Sequence, residues 1–131
     1  MKIPASTHTA RLTLTALLLV PITLLRQNSN ASISGVVTDS SNATVSGAEL
    51  TLQSTDSVAS SKATSGDGGL FSFANLPSGN YQLKVSAKGF KDFAQTGIVL
   101  HLNDAVNLPV SLQVGNASQI VEVNANASPV N

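Results

Sequence analysis

The sequence predicts an all-β chain, folded as a sandwich or small barrel behind an N-terminal export segment. Three observations carry that prediction. Apolar and polar residues alternate in several short runs, the pattern of strands that bury one face. Clusters of turn-forming residues separate the runs, and all nine glycines fall after Ser32. No stretch beyond residue 31 repeats its apolar residues at helical spacing.

The first 31 residues are of a different kind. They carry Lys2, Arg11 and Arg26 but no acid, and Leu12–Leu25 is apolar apart from three threonines and Pro21. Ser29-Asn30-Ala31 then places small residues at the −3 and −1 positions of a cleavage site. That order of basic, apolar and small-residue regions describes a secretory signal peptide over residues 1–31, with Ser32 at the mature N-terminus. As a helix the apolar run spans ~21 Å, short of the ~30 Å hydrocarbon core of a bilayer. An uncleaved membrane anchor is the alternative reading.

From Ser32 the alternation predicts strands near Ile33–Thr38, Ala48–Ser54, Val58–Thr64, Leu70–Phe73, Tyr81–Ala87, Ile98–Leu102, Asn107–Val114 and Gln119–Asn124. In the second, Ala48, Leu50 and Leu52 alternate with Glu49, Thr51 and Gln53. In the fifth, Tyr81, Leu83, Val85 and Ala87 alternate with polar partners. Such strands suit an antiparallel sheet with one wet face. Pro109 has no N–H for a ladder, so its strand is expected at an edge. Gly35 lies inside a strand, which predicts a bulge or a close backbone approach. Turns are expected at Asp39–Asn42, Ser46-Gly47, Gly66–Gly69, Pro77–Asn80, Lys88-Gly89 and Val114–Asn116.

Composition removes several function classes. The chain has no Cys, so it holds no disulfide and no thiolate site. Beyond residue 31, four lysines stand against seven acids; a net acidic domain lacks the positive field that nucleic acid requires. Lys84, Lys88 and Lys91 read as a solvated strand face. His101 and Asp104 are the one His/carboxylate pair close in sequence, but on a strand residues three apart face opposite ways. One mature His and scattered acids supply neither zinc ligands nor a paired-carboxylate site. No G-x-S-x-G elbow occurs, and Gly66-Asp67-Gly68-Gly69 lacks the helix start of a phosphate loop. The residues therefore predict no enzyme, no cofactor and no metal.

Two stretches resemble a known family. Ser32–Leu50 reads SISGVVTDSSNATVSGAEL and Gly69–Phe90 reads GLFSFANLPSGNYQLKVSAKGF. Together they resemble the carboxypeptidase regulatory-like domain, over residues 32–115. The resemblance implies a transthyretin-like (prealbumin-like) sandwich of seven antiparallel strands in Greek-key order, without catalytic residues of its own. The chain departs from the family pattern at Asn42, where Gly is usual, and at Gly66, where Asp is common.

The segment Ser118-Gln119-Ile120-Val121-Glu122-Val123-Asn124-Ala125 is similar to the TonB box of outer-membrane receptors that carry this domain before their plug. Residues 116–131 then read as an extended box-like segment and polar tail, with Ile120, Val121, Glu122, Val123 and Ala125 as the partner-binding residues. An extended peptide of this kind adds a strand to a partner's sheet edge; the same alternation equally describes a last strand of the sandwich. The resemblance implies a TonB-like energy-transducing partner or another envelope protein, and a place in the periplasm or outer membrane of a diderm bacterium. A receptor would continue into a plug and barrel, which these residues do not contain, so a truncated receptor-like product or a free-standing exported domain is expected. The alternative is a secreted carbohydrate- or surface-binding module. That role needs exposed aromatics, and alternation buries most of Tyr81, Phe90 and Phe93.

Overall fold

The structure, a computed structural model, describes residues 2–4 and 30–125. Most of the export segment predicted over residues 1–31, and the polar tail 126–131, lie outside the described residues. The rest is all-β: nine strands and a short 3-10 turn at Asp67–Gly69.

The strands are β1 (Ala31–Asp39), β2 (Glu49–Ser54), β3 (Ser60–Thr64), β4 (Leu70–Leu76), β5 (Gly79–Ser86), β6 (Asp92–Leu100), β7 (Ala105–Asn107), β8 (Val110–Leu112) and β9 (Ile120–Asn124). They form two sheets. One is β4-β1-β7, with β8 continuing alongside β1; the other is β3-β2-β5-β6-β9. Alternation does its expected work: Leu50 and Leu52 of β2, Tyr81, Leu83 and Val85 of β5, and Phe71 and Phe73 of β4 all point into one shared core. Ile33 and Val37 of β1, with Val110 and Leu112 of β8, join Phe71 and Phe73 on the inner face of the smaller sheet, opposite the residues of β2 and β5. Phe71 and Phe73 pack edge to face, ring centroids 6.2 Å apart, a geometry that aligns ring edge with ring face.

Three features differ from the sequence prediction. Nine strands stand where the alternation predicts eight and the resemblance implies seven, partly because the predicted Asn107–Val114 strand breaks at Leu108-Pro109, so that Asn107 ends β7, which starts at Ala105, and Val110–Leu112 forms β8. Both halves lie at the sheet edge, as the missing N–H of proline requires. The sheets are mixed rather than antiparallel: β1 pairs in parallel with β7 and β8, and β6 pairs in parallel with β9. A parallel pair needs a long crossover, and here the strands of the opposite sheet provide it. Thirdly, β6 begins at Asp92, six residues before the predicted strand. Phe93 and Gln95 face inward, then Ile98 and Leu100 do. The phase flips at Gly97, which has φ 70°, opposite a register shift between Tyr81 and Leu83. That bulge hides the strand from a period-2 search.

The turns are built locally. Asp39 Oδ1 accepts from Ser41 N–H (2.8 Å), Ser41 Oγ (2.7 Å) and Ala43 N–H (3.0 Å). Asn42 then takes φ 64°, filling the position where glycine is usual. Gly66 precedes the Asp67–Gly69 turn with no side-chain cap; backbone bonds Gly66 N–H to Leu70 O (2.9 Å) and Gly69 N–H to Gly66 O (3.0 Å) hold it instead. Gly35 is the predicted close approach: a Cβ there would stand 2.1 Å from Leu108 O and 2.8 Å from Phe71 Cζ.

Candidate functional site

The candidate residues Ile120, Val121, Glu122, Val123 and Ala125 come together as the outermost strand of the larger sheet and the residue after it. β9 runs beside β6 in the register Asp92–Ile120, Phe93–Val121, Ala94–Glu122, Gln95–Val123 and Thr96–Asn124. Ala125 N–H donates to Thr96 O at 2.9 Å, closing the ladder. By the two-residue period of a strand, the N–H groups of Val121 and Val123 turn the same way, toward β6. Those of Ile120 and Glu122 then face outward, along an edge where no described strand pairs.

This edge differs from the others. β3 is SSKAT, polar apart from Ala63, which packs against the core, and it carries Lys62, a composition that discourages strand pairing. β4 lies next to β3 across the two sheets. β7 and β8 are three residues each, interrupted at Pro109. β9 has neither Pro nor Lys, and it leaves Ile120 69% and Val123 40% exposed. It contributes nothing to the core, whereas Phe93 on its neighbour is buried there.

Beside β9, the outer face of the larger sheet holds a groove of about 320 Å³, lined by Glu49 and Thr51 of β2, Lys84 of β5, Asp92 and Ala94 of β6, and Ile120. The depression exists because Ala94 is small where its neighbours are long. One oxygen of Asp92, Oδ1, is buried and accepts no hydrogen bond. The sequence reading missed this groove, since it left Asp92–Gly97 outside any strand. A small residue on a polar strand face was its one visible signal.

The His101–Asp104 pair is closer than predicted. These residues form a turn, not a strand, with Asn103 at φ 64°, so the two side chains meet rather than facing apart. His101 Nδ1 lies 3.1 Å from Asp104 Oδ2, which also accepts from His101 N–H at 2.8 Å. That backbone bond, helped by the ring, holds the Asp104 carboxyl below the ordinary carboxylate value. The pair is exposed and caps its own turn. Among the described residues, no three His, Cys, Asp or Glu group together to hold a metal ion.

The aromatic side chains offer no sugar platform among the described residues. Phe71, Phe73, Tyr81 and Phe93 are buried, and Phe90 is half-buried against the core. Tyr81 OH donates to Pro77 O at 2.7 Å, fixing the Leu76–Gly79 turn. Asp56 accepts from Asn80 N–H (2.8 Å) beside it. Burial first, and the Asp56 charge second, push the Tyr81 phenol above its ordinary value.

Comparison with known proteins agrees with the all-β fold. Residues 32–113 match the carboxypeptidase regulatory-like domain. No curated protein matches the chain. Among solved structures, a streptococcal ancillary pilin is similar at 18% identity and TM-score 0.53, over 67% of this chain and 33% of the pilin. The Bacillus anthracis TIE protein is similar at 18% identity and TM-score 0.53, over 65% of this chain and 17% of that one. Hydroxyquinol 1,2-dioxygenase from Pseudomonas putida DLL-E4 is similar at 10% identity and TM-score 0.54, over 70% and 58% of the two chains. The chain thus spans a third of the pilin and a sixth of the TIE protein, and these likenesses concern the fold alone. β9 begins seven residues after the last residue of the family match. Over residues 32–113, the chain belongs to the carboxypeptidase regulatory-like domain family.

Proposed function

We propose that the chain is a non-enzymatic, exported sandwich that works in the cell envelope by protein–protein contact, with β9 as its partner-binding strand. One observation carries this reading. The segment that resembles a TonB box lies beyond the family domain and forms an edge with exposed apolar side chains and outward N–H groups. A partner strand laid along that edge gains backbone hydrogen bonds for affinity and contacts with Ile120 for specificity. A TonB-like energy-transducing protein, which reads such boxes by strand addition, is the partner proposed. His101 and Asp104 bond to each other and cap their own exposed turn, an arrangement that suits a binding module.

Isothermal titration of the full chain against the C-terminal domain of a TonB-like protein from the same organism tests the reading. Binding that weakens when Glu122→Pro removes an outward N–H supports it. No binding at high micromolar concentration, or binding unchanged by Glu122→Pro, sinks it.

A further inference from the structure

β9 has two edges, and the one facing β6 carries a second consequence. The hydrophobic core of the sandwich lies outside β9. The core draws on β1, β2, β4, β5, β6 and β8, and no β9 side chain belongs to it. The family domain ends at residue 113. Removing β9 therefore takes no side chain from the core but uncovers the β6 edge at Asp92–Thr96, where Phe93, Ala94 and Gln95 are now all less than one-tenth exposed. An uncovered edge with apolar neighbours is a strand acceptor.

We propose that β9 is an exchangeable strand, and that the β6 edge it occupies also accepts Ile120–Asn124 of a second copy of this chain. The occupant follows from the intrachain pairing. β6 already fits this sequence in a defined parallel register, and every copy carries the same sequence. Exchange thus remakes each contact and changes only which chain supplies it.

The connection permits exchange. Val114 bridges to Phe90, and Ile120 pairs with Asp92 two residues further along. Gly115–Gln119 must therefore fold back within five residues, a reversal held by Gln119 N–H to Asn116 O (3.0 Å) and Gly115 N–H to Gly89 O (3.2 Å). Short reversals of this kind are where chains swap strands. Opened, the stretch from Val114 to Ile120 reaches about 20 Å, enough to carry β9 to a neighbouring molecule. The exchange uses the β6-facing edge of β9, so it does not depend on the partner proposed for the outer edge.

The absence of Cys makes the test clean. Ala94 and Glu122 are direct register partners, as are Asp92 and Ile120, at a spacing that a disulfide spans. Full-length chains carrying only Ala94→Cys or only Glu122→Cys are mixed at high concentration and oxidised. Exchange predicts the mixed disulfide dimer in about fivefold excess over either homodimer, because docking concentrates those two thiols. Adding Val121→Pro to the Glu122→Cys chain should abolish the excess. The Asp92→Cys and Ile120→Cys pair repeats the measurement in case one variant fails to fold. Chains bearing both cysteines of a pair report the register by closing an internal link. A statistical mixture of dimers from chains whose double variants close internally overturns the proposal. So does failure of both double variants to close, since β9 would then not sit on β6. Loss of TonB binding alone leaves these results unchanged, so the two readings fail separately.

Discussion

Replacing Gly35 by Ala tests the packing of the sandwich at its tightest point. Gly35 is a core-facing position of β1, and its missing side chain lets the backbone at Leu108 pass directly over the strand. The new methyl would lie 2.1 Å from Leu108 O and 2.8 Å from Phe71 Cζ. Ordinary carbon contacts begin near about 3.5 Å, so the carbonyl must retreat by more than ~1 Å. Leu108 cannot retreat freely, because its N–H donates to Ser34 O at 2.8 Å and its flanking strands both pair with β1. Overpacking costs about 1–3 kcal/mol, and a lost backbone bond adds about 1 kcal/mol. The expected destabilisation is about 2–4 kcal/mol, a large share of the ~5–15 kcal/mol that holds a domain folded. Urea denaturation followed by far-UV circular dichroism measures it; with a slope of about 1 kcal/mol per molar, the midpoint should fall by about 2 M or more. Gly47→Ala is the control. Gly47 has φ 76° and nothing within 4 Å of a new Cβ, so it should cost only about 1–2 kcal/mol, for backbone conformation alone. A Gly35→Ala chain within about 0.5 kcal/mol of the parent, or less affected than Gly47→Ala, would refute the close approach of β1 and Leu108.

Two further outcomes follow from single side chains. Tyr81→Phe removes the 2.7 Å bond to Pro77 O and should cost about 0.5–1.5 kcal/mol in the same assay. The Tyr81 phenol is raised above 10.0 in the fold, so its share of stability is present below pH 10 and lost as pH rises further. The parent should weaken there and Tyr81→Phe should not. At the acid end, hydrogen bonds from Ser41, side chain first and then backbone, lower the Asp39 carboxyl, and the His101 N–H lowers that of Asp104. Their stabilising share is present above the ordinary value of 3.8 and lost as pH falls below it. Carbon-detected NMR titration should place both midpoints below 3.8; a midpoint at or above that value contradicts the turn geometry.

Alternation made the faces of β2, β5 and the first part of β4 legible, because period 2 reports burial directly. It is silent on which strand lies beside which, or in which direction. The parallel β1–β7, β1–β8 and β6–β9 pairs were therefore invisible, although β1, β8, β9 and the second half of β6 were foreseen; β7, apart from Asn107, and the first half of β6 were not. That half escaped because the Gly97 bulge reverses the inward parity between Gln95 and Ile98. The groove escaped with it, since Ala94 has meaning only once Asp92–Gly97 is a strand. His101 and Asp104 were misjudged through a wrong local conformation: the rule for strands was applied to a turn. Gly35 was read correctly, because a glycine at an inward position has few physical explanations. The 120–125 segment was recognised as a strand-forming peptide, but its pairing with β6 depends on the route of the chain through both sheets.

The central claim is that β9 offers its outer edge to a partner strand. Amide hydrogen exchange at residue resolution, on the full chain with and without the TonB-like C-terminal domain, tests it most directly. The account predicts that the partner slows exchange at the outward amides of Ile120 and Glu122, while the amides of Ser61 and Lys62 on the opposite edge are unchanged. Protection confined to residues other than β9, or none at saturating partner, would contradict it.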